Sequence, residues 1–270
     1  MLSISLVAEE LFRVKGFPVT NSLLTTWIAI VVVFVSVFFG MMRRSLVPRG
    51  FQLVLESVYG FFLNLCENVL EDKNLAQKAV PFITTIFIFV FSSNILGLIP
   101  GVGSIGLFKE AEAIAPANVD AYEAYQITQK RAAGEKEFVP LLRAPSADLN
   151  TTLALALISV TVVQVVGFKT QGFGYLKKFF NFSSPVNFFV GILELISEFA
   201  KIISFSFRLF GNVFAGEVLL AVILMLTPYF IPVPFYGLEL FVAVIQAFVF
   251  AMLTLVFIKL ATVSHVVDSH

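Results

Sequence analysis

Cysteine occurs once in this chain, at Cys66, which excludes an internal disulfide and any cysteine-based metal cluster. Histidine is confined to His265 and His270 in a polar tail, so no metal site is expected there either. Charge is scarce: Asp, Glu, Lys and Arg make up 13% of the 270 residues, about half the share of a soluble domain. Basic and acidic residues balance at 18 each, which leaves no basic excess to attract nucleic acid. The first twenty residues carry Glu9, Glu10, Arg13 and Lys15 and lack a long apolar stretch, so no cleaved signal peptide is expected. What is abundant is apolar: 58% hydrophobic residues, 32 phenylalanines and a mean hydropathy of +0.92. Several runs of about 20 apolar residues make this an all-α membrane protein.

A first span covers about 22–42 and is followed by Arg43, Arg44 and Arg49, a basic cluster that predicts a cytoplasmic end. Residues 51–72 are interrupted by Gln52, Glu56, Asn64, Glu67 and Glu71, which fall on one half of a helical wheel. The other half carries Phe51, Leu55, Val58, Phe62, Leu65 and Val69, the pattern of an amphipathic helix in the interface. A second span covers about 80–99. The stretch at about 102–145 is the hydrophilic insert, expected to be solvated, partly helical and on the periplasmic side. A third span runs from near Asp148 to Phe168, and Lys169, Lys177 and Lys178 mark its cytoplasmic end. Ser184-Pro185 is a helix start, serine as cap and proline in the first turn. The helix it opens reaches Leu226 and, at 1.5 Å per residue, is about 60 Å long, roughly twice the hydrocarbon thickness. A proline-rich turn leads to a last run at about 235–263. About five crossings plus one interfacial helix are expected, the last two helices a long, steeply tilted hairpin. The chain reads as a single membrane domain over 1–270, N-terminus outside and C-terminus cytoplasmic.

Arg208 lies roughly four helical turns or more from either end of its run. A guanidinium keeps its charge and relays no proton by losing one; placing it in mid-membrane costs roughly 2.5–3.5 kcal/mol. A carboxylate on a partner is the expected compensation. With Arg208 as zero on the wheel, Glu194, Glu198, Lys201 and Asn212 fall within about 80°, and Glu217 about 180° away. On the next helix Glu239 and Gln246 share a face. The antiparallel turn puts Glu239 at the depth of Glu217, and Gln246 near Arg208. Acidic groups thus stand on both sides of a fixed cation. At about 4 Å and an effective dielectric of about 20, that cation attracts a mobile carboxylate by about 4 kcal/mol, enough to discharge its proton. Structural readings compete: Glu194, Glu198 and Lys201 as an interfacial ion-pair cluster, Glu239 as a helix-start acid favoured by the macrodipole, Asn212 as a partner of neighbouring backbone.

In three segments the chain closely resembles subunit a of the rotary F-type ATP synthase, in its bacterial form. They are Pro145-Ser146-Ala147-Asp148-Leu149-Asn150-Thr151-Thr152, Arg208-Leu209-Phe210-Gly211-Asn212 with Ala215-Gly216-Glu217, and Gln246-Ala247-Phe248-Val249-Phe250. The resemblance implies a non-catalytic, cofactor-free stator subunit of the bacterial plasma membrane. Its partners would be the c-subunit rotor ring, the subunit b peripheral stalk, other synthase subunits and lipid. It further implies that Arg208 faces the ring carboxylate, with Glu217 and Glu239 on one half-channel and Asn212 and Gln246 beside the arginine. Glu194, Glu198 and Lys201 would border the cytoplasmic half-channel, and Asp148 the far-side path. Many bacterial members carry histidine where this chain has Glu239. Either two acids here share a proton, or one serves an ion other than H⁺. A self-contained transporter would require internal repeats and broken helix pairs, which the sequence lacks. A scaffold would tolerate loss of charge at Arg208 and Glu217. An intramembrane enzyme would need a nucleophile–base pair or metal cluster, and none is evident.

Overall fold

A computed structural model describes residues 8–42, 47–99, 101–102, 105–110, 136–179, 185–227 and 230–263. Arg43, Arg44, Ser184, His265, His270 and the charged middle of the insert, 111–135, lie outside the described residues. Six helices follow the apolar runs: α1 Asn21–Met42, α2 Phe51–Leu70, α3 Lys73–Leu98, α4 Leu149–Gln171, α5 Pro185–Leu226 and α6 Pro232–Thr262. All six are long and apolar enough to cross a membrane. α2, expected in the interface, has the lowest hydropathy of them at 1.3. Gln52, placed on its polar half by the wheel, is buried; its amide donates to Glu56 at 2.7 Å, which lowers the cost of leaving water.

Local chemistry sets the helix boundaries. Asp72 caps α3 by accepting from the backbone N–H groups of Asn74 and Leu75, so the helix starts at Lys73, before the apolar run proper. Asp148 caps α4 through the N–H of Asn150. α5 spans 42 residues, about 63 Å, and α6 spans 31. At the far end of α6, Lys259 donates to the Leu70 carbonyl and pairs with Glu71, both at 3.1 Å, tying α6 to α2.

Two hairpins sit at one end of the bundle. β1 (Glu10–Val14) pairs with β2 (Phe17–Thr20), and β3 (Gly106–Glu110) with β4 (Lys136–Pro140), both antiparallel. The described arms of the insert are therefore strands, not helix, with Leu107 opposite Val139 and Phe108 opposite Phe138 in register. From Arg143 to Asp148 the chain is buried. It is anchored on α1, where Thr25 accepts from the Arg143 N–H and the Asn21 amide donates to Pro140.

Two apolar clusters hold the helices together. Phe62, Cys66 and Leu70 of α2 pack with Ala76, Val80 and Ile83 of α3, Val163 of α4 and Leu255 and Ile258 of α6. Ile86, Val90, Ala156, Val160, Ala247 and Phe250 receive Phe205 and Leu209 from α5. Phe205 and Leu209 are one turn apart and point inward, and Ser206 is buried in a 3.1 Å hydrogen bond with Thr152. Ser204, Phe207, Arg208 and Gly211 consequently point out of the bundle. Gly97 permits the buried loop to approach α3, since an added Cβ would meet the Ala144 Cβ and its Cα, the latter at 3.1 Å. Backbone cannot swing aside as a side-chain tip can. Gly97→Ala is therefore expected to lower stability by about 1–3 kcal/mol, read as an earlier thermal unfolding transition of the detergent-solubilised complex.

Candidate functional site

α5 carries a cation between two hollows. Arg208 is exposed on the outer face of the bundle, and its guanidinium donates to Ser204 Oγ, one turn back, at 3.3 Å. No carboxylate of the described residues lies within 4 Å of it. Ten residues toward the start of α5, about 15 Å along the axis, Glu198 is buried. Nine residues the other way, about 13 Å, stands Glu217.

The hollow beside Glu198 measures about 360 Å³, is open, and is lined by Gln164, Phe179, Leu195 and Phe199 among others. Both Glu198 oxygens are engaged: Lys201 Nζ donates to Oε1 at 2.7 Å and Gln164 Nε2 to Oε2 at 2.8 Å. Tyr175 in turn donates to Gln164 Oε1 at 2.7 Å. Lys201 also lies 4.9 Å from the centre of the Phe257 ring. Glu194 is half-buried one turn before Glu198. The stripe of polar groups read from the wheel therefore divides: Glu198 and Lys201 turn into the bundle while Arg208 faces out.

The second hollow is about 40 Å³ and is lined by Asn94, Gly97, Ala144, Glu217, Glu239 and Gln246 with apolar neighbours. That is room for two or three waters. Glu239 is buried and lies against Gly216, where the absence of a Cβ leaves space for its carboxylate. Asn212 donates to Gln246 Oε1 at 2.7 Å, bridging α5 and α6 one turn beyond Arg208. Asn94 and Gln246 are 3% and 4% exposed, and both Asn94 amide atoms and Gln246 Nε2 have no protein hydrogen-bond partner. Buried amides left that way cost free energy, which water in the hollow would recover. Glu217 accepts from Arg143 Nε at 3.3 Å and from the Ala144 N–H. The Arg143 guanidinium lies 6.0 Å from the centre of the Phe214 ring.

Asp148 does not line either hollow. Its Oδ2 accepts from Ser22 Oγ at 2.6 Å and its Oδ1 from Asn150 N–H, so it joins α1 to the start of α4. Arg143 and Asn94, by contrast, were not singled out by sequence. Arg143 reads as one more charge of a hydrophilic insert. Asn94 reads as one polar residue after Ser92 and Ser93, and only packing turns its amide into the hollow. Among the described residues no group of three or more His, Cys, Asp or Glu is placed to hold a metal ion.

A bundle of long apolar helices with ionisable groups at mid-helix defines an integral membrane protein concerned with ion transport. Residues 23–259 match the family of the ATP synthase A chain, and the chain belongs to that family. It is 29% identical to ATP synthase subunit a of Moorella thermoacetica, over 92% of this chain and 94% of that one. To the sodium-ion-specific ATP synthase subunit a of Propionigenium modestum it is 36% identical, over 91% and 75% of the two chains. To ATP synthase subunit a of Gloeobacter violaceus it is 33% identical, over 93% and 86%. The protein is thus a membrane component of ATP synthase, and its partners are other subunits of that complex.

Proposed function

We propose that this subunit is the proton-conducting stator of the motor, non-catalytic itself, with two offset half-channels separated by Arg208. Protons enter from the periplasmic side through the hollow of Glu217 and Glu239, with Asn212 and Gln246 beside the arginine. They pass to a carboxylate on the c-subunit rotor ring. The ring turns almost one revolution before Arg208 helps discharge each proton into the hollow bordered by Glu194, Glu198 and Lys201. That hollow opens to the cytoplasm, the insert lies outside the bacterial plasma membrane, and subunit b holds the stator against rotation. Asp148 supports the inlet by fixing α1 to α4. Each proton crossing yields about 2.3 kcal/mol per 100 mV.

One observation carries this reading. A permanent cation faces outward from mid-helix, midway between two hollows, with a serine hydroxyl as its one hydrogen-bond partner among the described residues. Such a charge requires compensation from outside the chain. A cysteine introduced at Phe207, exposed beside Arg208, is expected to form a disulfide-linked product with a cysteine-bearing c subunit. One at Trp27, exposed on α1, is not. Equal cross-linking from both positions, or from neither, would remove the ring from this face.

A further inference from the structure

Two carboxylates and the Asn94 amide oxygen around one small hollow form the kind of oxygen-lined cage that also holds hard cations. Glu217 and Glu239 line it with two amides more than nine-tenths buried: Asn94, whose oxygen and nitrogen both lack protein partners, and Gln246, whose Nε2 alone is unpartnered because Oε1 accepts from Asn212. A doubly negative cage would draw in Na⁺ and hold it. Arg143 changes that account. Its guanidinium is buried with 9% of the side chain exposed and sits on Glu217 Oε2 at 3.3 Å. Its backbone is fixed on Thr25, and its neighbour Ala144 forms part of the wall. One positive and two negative groups leave a single net negative charge, which one proton neutralises.

We infer that Arg143 is the fixed counter-charge of the inlet hollow, a positioning residue that keeps the Glu217–Glu239 site selective for protons by excluding Na⁺. The inference rests on the reading of Glu217 and Glu239 as the inlet. Glu217 is held by the guanidinium and by the Ala144 N–H. Glu239 makes no hydrogen bond to the described residues and is the group free to carry the proton. Removing a unit charge a few ångströms from the site raises its affinity for a cation by roughly 10³-fold at an effective dielectric near 20.

The test uses the intact synthase complex in liposomes, with ATP-driven proton pumping titrated with NaCl against choline chloride. Wild-type pumping is expected to be unchanged by Na⁺. Arg143→Gln is expected to pump in sodium-free buffer and to lose pumping at millimolar Na⁺. Arg143→Lys should stay insensitive. Arg143→Ala should be relieved of sodium inhibition by added guanidinium, a response that loss of packing alone would not give. Arg143→Gln that pumps equally with and without Na⁺ overturns the inference, as does wild-type pumping that Na⁺ inhibits or replaces, a result that needs no variant to assemble. Failure of the underlying reading shows differently: Glu217→Gln and Glu239→Gln would then pump normally in sodium-free buffer.

Discussion

Arg208→Ala is expected to abolish proton-driven ATP synthesis and ATP-driven proton pumping while the complex still assembles. The separation of the two effects follows from where the side chain lies. Its one hydrogen bond among the described residues is to Ser204 at 3.3 Å on an exposed face, so truncation leaves no buried carboxylate unpaired. It also removes an intramembrane charge that costs roughly 2.5–3.5 kcal/mol to insert. Folding therefore loses little. Function loses the charge that drives a passing carboxylate to release its proton, an attraction of about 4 kcal/mol at 4 Å and an effective dielectric of 20. The check is ATP yield after an acid–base jump in liposomes, beside native electrophoresis of the complex. Wild-type yield from an assembled Arg208→Ala complex would end the turbine reading.

The next largest effect belongs to Gly216. A Cβ there would fall on the carboxylate of Glu239, the tip of a flexible side chain and not backbone. Gly216→Ala should thus leave the α5–α6 contact intact and push the carboxylate out of the hollow. Misplacing a transfer group by about 1 Å can cost about 10²-fold in rate, and a drop in proton flux of that order is expected. Shortening the displaced acid should return part of the flux, so Gly216→Ala with Glu239→Asp is expected to conduct better than Gly216→Ala alone. Flux is read as collapse of a potassium-diffusion potential through complexes stripped of their soluble sector. Undiminished flux in Gly216→Ala would show that Glu239 does not depend on this position.

Much of the architecture follows from local rules. α5 runs over the stretch Pro185–Leu226 that its proline start and apolar content define. α6 differs from the expected 235–263 by only a few residues, because proline at its first turn and continuous apolarity act within one helix. Less legible was everything that depends on contact between distant segments. The insert's flanks form a strand pair whose partners are separated by the whole loop. Arg143 belongs by composition to the solvated insert, yet Thr25 and Glu217 draw it inward from α1 and α5. Asp148, read as a path residue from the resemblance, spends both oxygens on Ser22 and the start of α4.

The amino-acid order by itself determined that this is a helical membrane protein and that Arg208 stands at mid-helix in a long apolar run. Those conclusions need only hydropathy, helix period and the permanence of a guanidinium charge. Tertiary structure alone decided which ionisable groups share a space. Glu217, Glu239, Asn94 and Gln246 come from three helices, and whether they enclose one hollow depends on Gly97 and Gly216 letting neighbours approach. No rule acting within a single helix sets that distance.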